Sequence, residues 1–224
     1  MKKLSGPIKL PITKQNPDKM VVFLHGVGAD GNDLISLFSD FETIFPNAVF
    51  LSPNAPFPYD MFPSGYQWFS LANRSADKLY EGIETALPIL KNFLDENLEL
   101  YNLEYKDLIL VGFSQGTMMA LEIAPRFEEL CYAVIGFSGA LVNPSELSNK
   151  LKSYPQICLI HGAEDQVVPA VLHKKNVKEL KRLNIPLKEC LINNLGHSIN
   201  GDALKFALDF LKDLKLNENK TSSS

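Results

Sequence analysis

Short runs of consecutive apolar residues alternate along the chain with longer segments of helical period. The apolar runs are almost continuously hydrophobic, as strands covered on both faces should be. They predict strands at 20–24, 48–51, 108–111, 133–137, 157–160 and 187–192. Apolar residues at helical spacing predict helices at about 75–99, 115–125, 168–183 and 202–214. The alternation favours an α/β fold with a doubly wound, mostly parallel sheet flanked by helices.

Local signals refine two of these helices and the end of the chain. Pro88 should kink or split the helix at 75–99, because proline lacks the N–H that a helix interior requires. Asp202 is the predicted N-cap of the last helix. The segment 217–224 is polar and has no apolar anchors, so we predict a disordered tail after a single domain at 1–216.

A long segment between two predicted elements combines prolines with many aromatic residues. This aromatic segment, residues 52–72, contains the pair Trp68-Phe69 and, nearer its start, Met61 and Phe62. A loop of this length in a compact domain either serves a function or packs down as a satellite core.

Composition excludes several classes of function. The 224 residues are 46% apolar and 21% charged, with a net charge of −4, as in an ordinary soluble globular protein. An acidic chain without a basic run has no electrostatic footprint for nucleic acid or an anionic membrane. No apolar run is long enough for a transmembrane helix. Residues 1–7 carry two lysines without an apolar region behind them, so we predict no secretory signal.

The three cysteines are Cys131, Cys158 and Cys190, and none is in a C-x-x-C pair. Each stands in or beside an apolar, strand-like run, so we expect buried, reduced thiols rather than metal ligands. Reduced thiols indicate a reducing compartment, and we predict the cytoplasm.

The strongest chemical motif is Gly112-Phe113-Ser114-Gln115-Gly116, between the strand at 108–111 and the helix that follows. A serine on such a sharp strand-to-helix turn has a strained backbone and lifts its Oγ out of the sheet. Larger side chains two residues before and after it would collide, which requires glycine at both places. The motif therefore predicts a nucleophilic Ser114, with an ordinary Gly/Ser turn as the alternative.

A nucleophilic serine needs an imidazole as base and a carboxylate to hold that imidazole. Of the four histidines, only His197 lies in the loop after the last strand. His173 is expected to be a solvated helix residue. Asp165, after the penultimate strand, is the predicted acid, and its neighbour Glu164 is the competitor. The chain order Ser114, Asp165, His197 is the order of α/β-hydrolases.

When a nucleophilic serine attacks a carbonyl, an oxyanion forms that must be held by N–H donors. We expect two such donors. One is the backbone N–H of Gln115, and the second is predicted from the glycine-rich loop at 25–33, where Val27 N–H is the candidate. The same loop could cradle phosphate, but it lacks G-x-G-x-x-G and the P-loop lysine. Its Asp30 and Asp33 could bind calcium, but the EF-hand pattern is absent.

These motifs resemble those of the acyl-protein thioesterase, carboxylesterase and lysophospholipase-like family of α/β-hydrolases. The resemblance extends from about residue 18 to residue 214 and includes the Gln115 that follows the nucleophile. One departure is Ser70, because relatives commonly have an acidic residue after the Trp-Phe pair. Relatives of the dienelactone hydrolase type are disfavoured, since their nucleophile is cysteine.

The resemblance implies an α/β-hydrolase fold without a large cap domain, and hydrolysis of esters or thioesters through an acyl-enzyme. It implies no cofactor and no metal. The expected substrates are small-molecule or lipid acyl esters and acylated proteins. Met61, Phe62, Trp68 and Val168 are the candidate lining of an acyl groove, with internal packing of the aromatic rings as the alternative. Apolar rims near the site are compatible with a homodimer. The competing hypothesis is a non-catalytic α/β-hydrolase-fold binding protein.

Overall fold

A mixed seven-stranded sheet forms the centre of the protein. The structure, a computed structural model, describes residues 2–221 apart from the side chains of 219 and 221. The sheet strands are β1 (Ile8–Lys9), β2 (Lys19–Leu24), β3 (Ala48–Leu51), β6 (Leu108–Phe113), β7 (Ala133–Phe137), β8 (Ile157–Gly162) and β9 (Leu187–Ile192). A short antiparallel hairpin, β4 (Phe57–Pro58) with β5 (Tyr66–Gln67), stands apart from it.

The strand order in the sheet is β1-β3-β2-β6-β7-β8-β9. Only β1 runs antiparallel to its neighbour, and all other pairs are parallel. The predicted strands and the mostly parallel sheet are thus confirmed. Each prediction missed at most two residues at a strand end, because polar residues such as Lys19 and His161 extend the ladder beyond the apolar run.

Helices cover both faces of the sheet. They are α1 (Gly31–Leu34), α2 (Phe38–Glu42), α3 (Ala76–Tyr101), α4 (Gln115–Ile123), α5 (Pro144–Lys150), α6 (Ala170–Arg182) and α7 (Gly201–Thr221), with 3₁₀ turns at Ile35–Leu37, Tyr105–Asp107 and Ala124–Arg126. One buried core joins the sheet to α3, α4, α5 and α6. The second core joins the opposite face to α1, α2 and α7. Alternate residues of each strand enter the two cores, which explains the near-continuous hydrophobicity of the strands.

The two helix signals have different outcomes. Pro88 does not split its helix, since α3 is continuous from Ala76 to Tyr101. Its buried face includes Ile83 before the proline and Leu90 after it, so packing against the sheet holds both halves in one helix. Helix α7 is capped by Asn200, whose Oδ1 accepts from the Ala203 N–H at 2.9 Å, and Asp202 stands instead in the first turn.

The last helix extends beyond residue 216, where the sequence predicted the domain to end. Helix α7 continues to Thr221, and there Glu218 accepts a hydrogen bond from Tyr132 at 3.2 Å and lies 3.8 Å from Lys19. Polar side chains on the last turns therefore find partners that the apolar pattern could not reveal. Residues 222–224 lie outside the described residues.

Burial separates the three cysteines. Cys131 and Cys158 are buried, and burial raises the pKa of both thiols to about 12. Cys190 is only half-buried, contrary to the expectation, because β9 is the edge strand of the sheet. All three are free thiols.

Candidate active site

Ser114 stands on a strained turn between β6 and α4. Its φ of 52° and ψ of −113° lie in a region that L-residues rarely adopt. A Cβ on Gly116 would lie 1.8 Å from the Leu24 carbonyl oxygen, and one on Gly112 would lie 2.4 Å from the Thr117 nitrogen. The turn predicted from the sequence is therefore present, and both glycines are required by backbone contacts.

Ser114, His197 and Asp165 come together at the carboxyl ends of three strands. His197 Nε2 lies 3.0 Å from Ser114 Oγ, and His197 Nδ1 lies 2.7 Å from Asp165 Oδ2. Because a carboxylate only accepts, Nδ1 carries the proton and Nε2 is free to accept from the serine hydroxyl. Phe113 packs against the imidazole at a ring separation of 4.9 Å.

The carboxylate of Asp165 is buried and surrounded by donors. Its Oδ1 accepts from the backbone N–H groups of Val167 and Val168 at 2.9 and 2.8 Å. Burial alone would raise the pKa of Asp165, but the hydrogen bonds from His197 and these N–H groups outweigh it, and the pKa is lowered. Glu164 is exposed to solvent, so the structure places Asp165 and not its competitor against His197.

Backbone contacts join the acid loop to the base loop. The Glu164 N–H donates to the Leu195 carbonyl at 2.9 Å, and a Cβ on Gly162 would lie 2.2 Å from the same oxygen. The glycine after β8 is thus what lets the loop with His197 approach Asp165.

The other three histidines are buried. His25 donates from Nδ1 to the Gly26 carbonyl at 2.7 Å and accepts the Ala55 N–H on Nε2 at 2.9 Å, so its neutral tautomer is fixed. His173 is only 3% exposed and its Nε2 lies 3.2 Å from Glu189, so the expectation of a solvated residue is wrong. It faces the sheet side of α6, where its ring lies 5.4 Å from that of His161.

The aromatic segment braces the glycine-rich loop. The Gly28 N–H donates to the Tyr66 carbonyl and the Tyr66 N–H donates to the Ala29 carbonyl, both at 2.8 Å. Gly28 has φ +80°, and a Cβ on Gly65 would lie 2.0 Å from its carbonyl oxygen. Asp30 caps α1 by accepting from the Asn32 N–H at 2.8 Å. The loop is therefore held by backbone pairing.

The same segment is bound to the start of α4. The side-chain amide of Gln115 donates to the Phe69 carbonyl at 2.7 Å and accepts the Trp68 N–H at 3.0 Å. The indole N–H of Trp68 donates to the His25 carbonyl at 3.0 Å. Gln115 is the first residue of α4, so its own backbone N–H has no acceptor within the helix.

A cavity of about 440 Å³ opens beside Ser114. Val27, Gln115 and His197 line it together with Ser114. Its apolar wall consists of Leu71, Leu79, Met118, Val167, Val168 and Leu172, and Arg74 adds one cation. A second recess of about 330 Å³ shares Phe113 and His197 with it and is lined further by Asp33, Leu34, Ser36, Leu37, Ser198 and Ile199.

Only one of the four candidate groove residues lines this cavity. Val168 does, whereas Trp68 is completely buried in the core and Met61 and Phe62 are 60% and 65% exposed at the hairpin tip. The alternative of internal packing is correct for Trp68. The sequence missed Leu71, Met118 and Leu172, because nothing in an apolar pattern distinguishes a cavity wall from a core contact.

Among the described residues, no three His, Cys, Asp or Glu side chains lie close enough together to bind a metal ion. Within the same part of the chain, no helix combines the length and the apolar character needed to cross a bilayer.

Comparison with known proteins adds independent evidence. The model of the phospholipase/carboxylesterase family matches residues 10–215. The chain belongs to this family. It is accordingly an α/β-hydrolase and a carboxylic ester hydrolase, as the resemblance of its motifs implied.

Individual members of the phospholipase/carboxylesterase family match over most of their length. Esterase YpfH of Escherichia coli (strain K12) is 27% identical over 202 residues, covering 88% of this chain and 85% of its own. Acyl-protein thioesterase 1 of Schizosaccharomyces pombe is 32% identical over 199 residues, which cover 82% of this chain and 85% of that protein. The crystal structure of esterase PE8 superposes with a TM-score of 0.90 at 39% identity. The match covers 95% of this chain and 99% of the PE8 chain.

Proposed function

We propose that the protein hydrolyses carboxylic esters or thioesters through a Ser114–His197–Asp165 triad and an acyl-enzyme intermediate. The observation that carries this proposal is the continuous hydrogen-bond chain from Ser114 Oγ through His197 to Asp165, at 3.0 and 2.7 Å. Distances of this size allow proton transfer without rearrangement of the side chains.

In the first half of the reaction, His197 Nε2 takes the proton of Ser114 as Oγ attacks the acyl carbonyl. The backbone N–H groups of Val27 and Gln115 hold the oxyanion that forms. The alcohol or thiol then leaves with the proton from His197. In the second half, water repeats the cycle and releases the acid, while Asp165 stays ionised and orients the imidazole.

The two recesses that meet at His197 support a substrate with two different substituents. The apolar cavity beside Ser114 suits an acyl chain, and the second recess, where Leu34, Leu37 and Ile199 alternate with polar side chains, leaves room for the leaving group. The relatives named esterase and acyl-protein thioesterase support the same substrate classes, namely small or lipid acyl esters and acylated proteins. The three free thiols support a cytoplasmic location.

Ser114→Ala tests the proposal directly. We expect a fluorophosphonate probe to label the wild-type protein and not the variant, because only an activated serine reacts with it. The variant should lose on the order of 10⁶-fold in kcat for a p-nitrophenyl ester, as triad nucleophiles do in serine hydrolases. Equal labelling of both proteins would place the nucleophile elsewhere, and labelling of neither would favour the binding-protein alternative.

A further inference from the structure

His161 makes a contact with Asp165 that the triad does not include. It lies on β8, four residues before Asp165, and its Nε2 is 2.8 Å from the Val168 carbonyl oxygen and 3.3 Å from Asp165 Oδ2. Both of these partners are acceptors, so Nε2 carries the hydrogen, which it donates to the Val168 carbonyl while the N–H also lies against Asp165 Oδ2. The side chains of His161 and Asp165 are 1% and 0% exposed, which excludes water as a competing donor at this contact.

The contact completes a closed arrangement around the acid. Val168 donates its N–H to Asp165 Oδ1 and presents its carbonyl to His161, while His161 reaches Asp165 Oδ2. Oδ2 is also the atom that His197 Nδ1 binds. Rotation of the carboxylate away from His197 would therefore break contacts to His161 and to the backbone together.

The charge state of His161 suits this task. The groups that face it are Asp165, the Val168 carbonyl, His197 through the shared carboxylate, and the ring of His173, which in turn meets Glu189. Burial lowers the pKa of His161 more than Asp165 and Val168 raise it, so the imidazole is neutral at neutral pH. A neutral donor fixes a carboxylate without cancelling its charge, whereas a lysine or arginine would weaken its hold on the His197 cation.

We propose that His161 is a positioning residue of the hydrolytic reaction, which holds the Asp165 carboxylate in the orientation that binds His197. The inference rests on the proposed triad and adds a fourth side chain to it. His161 acts through Asp165 and lies outside the lining of the cavity beside Ser114, so it should affect kcat and leave KM unchanged.

The test compares three substitutions at His161 with one at His173. His161→Gln keeps an N–H near the position of Nε2, His161→Asn is polar but too short to reach Asp165, and His161→Leu removes the donor. His173→Leu is the matched control, because it removes a buried imidazole beside His161 that has no contact with Asp165. For each, kcat and KM on a p-nitrophenyl ester, the labelling rate with a fluorophosphonate and the Tm are measured.

We expect His161→Leu and His161→Asn to lower kcat and the labelling rate by about 10–100-fold, the size of effect that outer-shell partners of a functional side chain have at metal sites. His161→Gln should recover most of the loss, and His173→Leu should keep the wild-type kcat whatever its Tm. The comparison of His161→Gln with His161→Asn tests the proposal even if His161→Leu does not fold.

Two results would overturn the inference. One is a wild-type kcat in His161→Asn with a lowered Tm, which would make His161 only structural. The other is an equal loss of kcat in the Gln and Asn variants, which would exclude the N–H donor as the cause. Ser114→Ala, measured in parallel, reports on the proposed triad itself, so failure of the proposed function is recognised separately.

Discussion

At the scale of single residues, two adjacent carboxylates have opposite surroundings. Asp165 is buried, accepts two backbone N–H groups and binds His197, while Glu164 is exposed. The sequence placed both in the loop after β8 and favoured Asp165 from its position after the penultimate strand. Asp165 Oδ1 closes a turn with the N–H groups of Val167 and Val168. The shorter aspartate side chain closes such a turn more readily than glutamate, which is the physical reason that Asp165 and not Glu164 faces His197.

The difference predicts unequal effects of two isosteric substitutions. Asp165→Asn should lower kcat by roughly 10⁴-fold, because an amide cannot keep the imidazole in the required tautomer. Glu164→Gln should leave kcat near the wild-type value, and it is the matched control one residue away. Steady-state kinetics on a p-nitrophenyl ester measure both. A larger loss in Glu164→Gln would reverse the assignment of the acid.

At the scale of elements, the aromatic segment 52–72 acts as a brace. It pairs by backbone hydrogen bonds with the glycine-rich loop at Gly28 and binds the Gln115 side chain through Trp68 and Phe69. These contacts fix the two backbone stretches that carry the proposed oxyanion donors. Ser70, which departs from the family pattern, donates to Asp60 at 2.5 Å, so a carboxylate is present beside this position after all.

Gln115→Leu tests the brace. The substitution leaves the Trp68 N–H and the Phe69 carbonyl without their partner, and each unsatisfied buried group costs about 1–3 kcal/mol. We expect a lower Tm and also a lower kcat, because the backbone N–H at 115 is no longer held in place. Thermal denaturation and ester kinetics measure the two effects.

Met61→Ala is the control for Gln115→Leu. Met61 belongs to the same segment but is 60% exposed and outside the lining of the cavity. It should change neither Tm nor kcat/KM. If Met61→Ala lowered kcat/KM for long acyl chains, the original groove interpretation would regain support.

At the scale of the whole molecule, three neutral histidines are buried in the interior of the protein. His25, His161 and His173 are at most 3% exposed, and burial lowers the pKa of each. Below the ordinary histidine value of about 6.5, the unfolded chain takes up protons that the folded chain excludes. The unfolded state then binds more protons, so the free energy of unfolding rises with pH across this range.

We therefore expect a lower urea midpoint at pH 5.5 than at pH 7.5. Each proton that the folded state excludes changes the free energy of unfolding by up to about 1.4 kcal/mol per pH unit. His173→Leu should make the urea midpoint depend less steeply on pH, since it removes one of the three buried histidines and leaves the triad intact. A midpoint that stays constant between the two pH values would show that these imidazoles protonate in the folded state.

The sequence alone determined the features that depend on local pattern. Apolar runs located the strands, because a strand buried on both faces must be hydrophobic throughout. The Gly112–Gly116 turn was predictable because steric contact within a few residues dictates it. The chain order of Ser114, Asp165 and His197 followed from the fold, since parallel strands bring their carboxyl ends to one edge.

Tertiary structure decided whatever depends on contacts between distant parts of the chain. The sequence shows that His161 and Asp165 are only four residues apart. It does not show which acceptors surround His161 Nε2. The exposure of Met61 and Phe62, the burial of His173 and the half-exposed Cys190 are likewise set by which element covers each side chain. Hydrophobic period records that a residue is apolar and where it points on its own element, and it carries no information about the neighbour it meets.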